Sequence, residues 1–480
     1  MSETNASPEL GKQAGTKSTS LFEFYSQPKF LKALPLSLQH LLAMIAGVIT
    51  PPIIVAGVVG ASPADKLLLI QMAVLASGIC TIFHLYGVWK FGARLPAIFG
   101  VGFAYVPTLI AVGGQFGIEG ILGAQLIGGI TMMVVGYFIQ YIRHLFPPVV
   151  AGTVVLVIGL SLYDVAIKYM AGSGNPSAEG FGDLMNWAVG GITLLTVLIA
   201  AQFGKGVVKL SAIIVGIVVG YLIALALGMV DFTSIGNAAW FAAPEFMPFQ
   251  MEFHAAAIAS MVVICVINSV QTIGDLSATA VGGMNRELET KELTGGLLGN
   301  GLTTALSSFF GALPTSTFSQ NVGIVAMTKV VSRFVLVIAG AFMILAGLSP
   351  KFSAVMTTIP FPVLGGATIT VFGMITMTGI QLLVKDEMSA RNMTIVGLAL
   401  ALSLGIAAVP EAIAQFPVVV QNIIGGAPIV IAAITAFVLN IVLPNKSLSD
   451  EAKEREAIAK ADEEANQAAA AQTKQTNGAS

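Results

Sequence analysis

Residues 314–333 read PTSTFSQNVGIVAMTKVVSR. Pro314 and the run Thr315, Ser316, Thr317 break the apolar helix before them. Gln320, Asn321 and Gly323 then open a short apolar helix that ends at Thr328 and Lys329. A half-helix that starts inside a membrane presents unpaired backbone N–H groups and a positive dipole end to whatever lies in front of it. Two adjacent carboxamides there donate and accept together, which suits a neutral heterocycle carrying N–H and C=O groups better than a sugar or a bare cation.

The rest of the chain supplies the membrane. Of 480 residues, 55% are hydrophobic and 10% charged, the mean hydropathy is +0.86 and the net charge is -2, so neither a soluble domain nor a nucleic-acid binder is expected. Many charges sit in one run from Lys446 to Glu464, which reads as a solvated helix or extension. The first 30 residues contain no apolar core of an export signal. About 20 apolar residues span a bilayer, and broken helices use fewer. On that rule fourteen segments emerge, at 34–58, 67–85, 96–112, 119–140, 147–166, 187–203, 208–230, 255–276, 294–312, 317–328, 333–350, 362–384, 392–409 and 424–443. The third and tenth are interrupted by Gly, Pro or polar residues. The third runs through LPAIFGVGFAYVPT at 95–108, where Phe99, Phe103 and Tyr105 offer aromatic faces.

Loop charges give an independent check. Lys90 and Arg94, Arg143, Lys205 and Lys209, Arg286 and Lys291, Lys329 and Arg333, and Lys385 and Arg391 fall in every second loop, while the others hold Asp65 with Lys66, Glu119, Asp164 with Lys168, Asp183, Asp231, Glu245, Glu252, Lys351 and Glu411. This alternation predicts an all-α membrane protein of fourteen spans with both termini cytoplasmic. The acidic loop 231–254 divides it seven and seven, and two similar halves of seven spans must be inverted relative to each other, with the paired broken segments marking the binding site.

Few polar side chains lie inside the spans, and each is a candidate. Gln39 and His40 occupy the first, where His40 either orients a neighbouring helix or carries a proton. Gln271 and Asp275, at i and i+4 in the eighth, share one wet helical face, and Asn300 in the ninth is a helix contact or a functional amide. His84 and His144 fall near span ends and His254 in a loop, where interfacial packing is expected. Cys80 and Cys265 read as buried inert thiols. No catalytic constellation, metal-ligand spacing or cofactor motif is present, so neither an enzyme nor a cofactor protein is expected.

QNVGIVAMTK at 320–329 resembles the signature of the nucleobase/ascorbate transporters, with Gln320, Asn321, Gly323, Thr328 and Lys329 in the matching places. The Gln39–His40 pair, TIGD in the eighth span and VLGGA at 363–367 add to the resemblance, which covers about 30–445 and is nearest to bacterial xanthine and urate permeases. It implies two inverted seven-span repeats, short strands in broken segments 3 and 10, and a division into core and gate domains. On that division 1–33 is a cytoplasmic tail, 34–140 and 255–350 the core, 141–230 and 351–443 the gate, 231–254 a periplasmic loop and 444–480 a cytoplasmic tail. It further implies a homodimer in the inner membrane that imports a purine, xanthine first and urate next, with protons, by an elevator movement. Uracil or other purines are the alternatives within the family, and an anion exchanger or channel is the alternative on the same fold. The base is expected between segments 3 and 10, against Gln320, Gln271, the backbone at Phe103 and Asn321, and the lining residues Phe318 and Gly323. Asp275, His40 and Asn300 take the positions of affinity or proton coupling. Two departures stand out, since Gln271 and Asn300 replace the family's usual acids; coupling is then left to Asp275 or His40.

Overall fold

The structure is a computed structural model that describes residues 20–142, 147–417, 421, 428–445 and 447–477. Arg143, His144, Lys446 and the start of the fourteenth predicted segment lie outside the described residues.

The elements in order are α1 (Phe30–Val58), α2 (Pro63–Tyr86), β1 (Phe99–Val101), α3 (Val106–Ile142), α4 (Pro148–Ser161), α5 (Tyr163–Met170), α6 (Leu184–Phe203), α7 (Val207–Leu210), α8 (Ala212–Ala226), α9 (Thr233–Asn237), α10 (Ala255–Ala278), α11 (Thr290–Ser308), β2 (Thr315–Thr317), α12 (Ser319–Thr328), α13 (Arg333–Gly347), α14 (Pro350–Thr357), α15 (Phe361–Leu383), α16 (Ala390–Ala408), α17 (Pro428–Val442) and α18 (Leu448–Asn477). The predicted third segment comprises β1, a 3-10 turn at Phe103–Tyr105 and the first part of α3, the fourth is the rest of α3, and the two parts of that helix are broken at Gly117, whose φ of 67° only glycine adopts freely.

Among the described residues eight helices are long and apolar enough to cross a membrane, or nine if α13 and α14, bent by 83°, form one span. Ala212–Ala226 and Pro428–Val442 are apolar but shorter, α12 has 10 residues, and α11 carries TKELTGG at its start. The protein is therefore multi-pass and mostly helical. Length and hydropathy alone give fewer crossings than the fourteen expected from loop charge.

Close helix crossings rest on glycine. At the α2–α13 crossing an added Cβ on Gly78 would lie 2.6 Å from the Gly340 carbonyl, and at the α3–α11 crossing one on Gly129 would lie 2.7 Å from that of Gly301. Lipid gives no hydrophobic drive between helices, so van der Waals contact between bare backbones holds them. The largest buried cluster joins α1, α3, α10 and α15 around Tyr105, Phe103 and Phe372.

The charged run does form a helix, α18. Glu451 Oε accepts from Ala390 N, the first residue of α16, at 2.7 Å, and Glu387 Oε accepts from Leu448 N, the first residue of α18, at 2.9 Å. α18 thus caps α16, and the loop before α16 caps α18, each with a carboxylate at the helix's positive pole.

Candidate functional site

The site is built on a crossing of two broken segments. α2 ends at Tyr86 and α11 at Ser308, and the β-branched and glycine-rich residues after Pro96 and Pro314 run extended. β1 and β2 pair antiparallel with Phe99 opposite Thr317, Gly100 opposite Ser316 and Val101 opposite Thr315. Phe318 N donating to the Ile98 carbonyl (3.0 Å) and Gly102 N donating to the Pro314 carbonyl (3.2 Å) continue the ladder at either end. Non-helical backbone at membrane depth is tolerable only with its polar groups satisfied within the protein, and this pairing does so.

Hydroxyls of flanking helices fix the strands. On the β1 side, Ser77 and Thr81, one turn apart on α2, accept from Val101 N (3.1 Å) and Phe99 N (3.2 Å). On the β2 side each residue has its own partner. Thr315 Oγ donates to Asn300 Oδ (2.9 Å), Ser316 Oγ to Asn268 Oδ (2.5 Å) and Thr317 Oγ to Asp275 Oδ (2.5 Å). Ser319 Oγ also donates to both oxygens of Asp275, at 2.8 and 3.0 Å. Asn268, Thr272 and Asp275 recur at i, i+4 and i+7 and so form one stripe on α10.

From this frame α12 starts at Ser319 with no side-chain cap. Gln320 is half-buried and Gly323, three residues on, has nothing within 4 Å of an added Cβ. α10 repeats the pattern, with half-buried Gln271 followed by Gly274, also open. Two amides, each beside an open glycine, thus flank the uncapped helix start.

The structure does not bring every expected residue to this opening. Asn321 is 1% exposed, and its Nδ2 lies 3.1 Å from His40 Nδ1 and 3.0 Å from the His40 carbonyl, so its side chain ties α12 to α1 rather than facing Gln320's side. Phe318 packs on Gly47 and Gly100, and Phe103 meets Phe372 of α15 edge-to-face at 5.6 Å. Asn300 is buried between Thr315 and Thr272. Thr328 bonds its own helix, and Lys329, in the left-handed conformation at the end of α12, donates to the Gly282 carbonyl and to Asn285 Oδ.

His84 is a correction, being fully buried rather than interfacial. Its ring stacks on Phe99 at 3.5 Å and its Nδ1 accepts from Ala93 N. His254, in the loop before α10, stacks on Phe116 and lies 2.9 Å from Glu252. Glu292, in the first turn of α11, forks Arg286 of the preceding loop at 2.8 and 2.5 Å, and this pairing pushes the guanidinium above its ordinary range.

Sequence reading missed Asn268, Ser319, Ser77 and Thr81. The i, i+4 spacing of Ser77 and Thr81 and the i, i+7 spacing of Asn268 and Asp275 were the available signals, and Ser319 had none. Among the described residues no group of three His, Cys, Asp or Glu side chains is placed to hold a metal ion.

Comparison with known proteins gives concordant results. A family model described as a permease family matches residues 31–412. A xanthine permease of Bacillus subtilis is 35% identical over 423 residues, 86% of this chain and 94% of the relative. The uric acid permease PucK of the same organism is 35% identical over 424 residues, 88% and 97% of the two chains. The xanthine permease XanQ of Escherichia coli is 33% identical over 440 residues, 88% and 94%. Among solved structures, the transmembrane domain of the cyanobacterial bicarbonate transporter BicA aligns with a TM-score of 0.54 at 14% identity, over 86% of this chain and 98% of that one. SLC26A9 aligns with a TM-score of 0.58 at 12% identity, over 86% and 66%. At such identities these two speak for the fold alone.

Proposed function

The chain belongs to the nucleobase/ascorbate transporter family, a family of permeases and not of enzymes, and from that premise we propose that it imports an oxidised purine, xanthine first and urate next. The observation that carries this reading is the pair of half-buried carboxamides, Gln320 and Gln271, each beside an open glycine and flanking the uncapped start of α12. Each amide offers one donor and one acceptor edge, matching the N–H and C=O groups of a lactam ring. The backbone N–H groups of the α12 start add donors aimed at a ring carbonyl. Phe103, held by Phe372, provides an aromatic wall at the same crossing. An anion exchanger or channel on this fold would place a basic side chain or a bare N–H nest at the paired helix ends, rather than carboxamides such as Gln320.

The transport cycle we infer has fourteen spans in two inverted repeats, with both termini cytoplasmic in a bacterial inner membrane. Contacts that recur between the halves support it. Crossing α2 over α13 at Gly78 and Gly340 has its counterpart in α11 over α3 at Gly301 and Gly129. Ser77 and Thr81 hold β1 as Asn300 and Thr304 hold β2. Cys80 and Thr303, in corresponding places on α2 and α11, lie 3.2 Å apart. In this reading α1–α3 with α10–α13 form the core that carries the base, α4–α8 with α14–α17 form the gate, and the core slides as an elevator in each protomer of a homodimer. Proton coupling falls to Asp275, since Gln271 and Asn300 do not titrate and His40 is engaged with Asn321.

The test is uptake of radiolabelled xanthine into proteoliposomes, competed by a panel of purines and pyrimidines with and without a proton gradient. Competition by urate but not by adenine or cytosine is expected. Gradient-independent accumulation, or competition by bicarbonate or sulfate alone, would reject the proposal.

A further inference from the structure

Residues 20–26, just before α1, fold back on the loop between α12 and α13. The Leu21 carbonyl accepts from Val331 N and Ser332 N at 3.1 and 3.2 Å, and the Phe24 carbonyl accepts from Arg333 N at 3.0 Å. These bonds cap the start of α13 with neutral carbonyls. Arg333 is the first residue of that helix, and its guanidinium is held between two tyrosine faces, 5.0 Å from the Tyr25 ring and 4.7 Å from the Tyr86 ring.

This position is electrostatically costly. A cation at a helix N-terminus faces the positive end of the dipole, and among the described residues Arg333 forms no ion pair. The hook's only carboxylate, Glu23, is not placed to relieve it: no ion pair joins the two, and the hook meets Ser26 through the Glu23 backbone carbonyl. The guanidinium lies over both rings, and among the described residues its N–H groups donate to no protein acceptor, which leaves them for a planar or forked acceptor. The surroundings say where the acceptor comes from. Phe22 is 64% and Tyr25 69% exposed, although aromatic, and they lie at the end of an apolar helix, the depth at which aromatic residues meet lipid headgroups. Ala33 of α1 packs with Val330 and Val335, which brings the start of α1, with exposed Lys29 and Lys32, to the same side of the protein as the start of α13.

We propose that Arg333, clamped by Tyr25 and Tyr86, binds the phosphate of an anionic glycerophospholipid whose acyl chains lie against Phe22 and Tyr25, with Lys29 and Lys32 adding to the attraction. The lipid supplies the anion that the helix start lacks and fastens the N-terminal hook to the loop that follows α12. This site is separate from the base-binding crossing and does not depend on what is transported.

The experiment titrates the full-length purified protein with phosphatidylglycerol, phosphatidylcholine or inorganic phosphate, reading bound lipid by native mass spectrometry and the unfolding temperature in parallel. Phosphatidylglycerol should bind and stabilise more than either of the others. Arg333→Gln should weaken that binding about fivefold, the share expected of one cation at an anionic surface. Lys453→Gln, at an exposed lysine on α18, should leave it unchanged. Wild-type phosphatidylglycerol binding by Arg333→Gln would overturn the proposal. So would equal stabilisation by inorganic phosphate, which would mark a site for free anions instead. Should Arg333→Gln fail to fold, Tyr25→Leu keeps the apolar surface and removes one stacking face, and undiminished lipid binding in that variant would overturn the proposal equally.

Discussion

The carboxamide of Asn321 donates to His40, at 3.1 Å to the ring and 3.0 Å to the backbone carbonyl, while its neighbour Gln320 has no hydrogen-bond partner in the protein among the described residues. Two adjacent amides thus differ in their engagement, one tied to α1 and the other left unpaired.

Asn321→Ala should lower stability, because it leaves a buried ring nitrogen without its donor at a cost of about 1–3 kcal/mol. His40→Ala should cost a similar amount, and the double variant little more than the worse single, as for two residues acting as one unit. Thermal unfolding in detergent measures all three, and simple additivity would mean that the pair is not coupled.

Gln320→Ala should abolish xanthine uptake while shifting stability by no more than about 0.5 kcal/mol, the usual range for a side chain without partners. Uptake assays alongside unfolding temperatures separate it from Asn321→Ala, which should lose both. Normal transport by Gln320→Ala would remove residue 320 from the site.

Asp275 collects three hydrogen-bonded contacts from two hydroxyls, Thr317 and Ser319. Asp275→Asn removes the charge and one of the two acceptor oxygens, so the start of α12 loses part of its anchorage. Slower uptake that no longer responds to a proton ionophore is expected. Retained ionophore sensitivity at full rate would move coupling to another group.

Gly78→Ala should destabilise by about 1–3 kcal/mol, since the new methyl lands on the Gly340 carbonyl of α13. Gly191→Ala on α6, where nothing lies within 4 Å, should be neutral. Equal unfolding temperatures for the two would contradict the close α2–α13 crossing.

Much of this was legible in the chain. Pro314 and three hydroxyl residues announced the break before α12, and the apolar composition announced the membrane. The separation of Gln320 from Asn321 follows from helix geometry, because consecutive side chains point about 100° apart and cannot share one ligand face. The partners of Thr315, Ser316 and Thr317 were not legible, as they come from residues 42–48 positions earlier on α10 and 15 positions earlier on α11. His84 misled for a related reason. A histidine near a span end reads as interfacial, and only the fold of the 87–95 loop over it, with Phe99 beneath, takes it out of solvent.

The three-residue ladder between β1 and β2 also constrains how the protein is made. Phe99–Val101 enters the membrane some 200 residues of synthesis before Thr315–Thr317 exists to pair with it. Until then the first half carries unmatched peptide groups in hydrocarbon, a debt that lipid cannot settle. The nascent amino-terminal half must therefore wait, sheltered by the insertion machinery or kept at the headgroup level, and a chain that terminates before residue 315 is a natural substrate for membrane proteases.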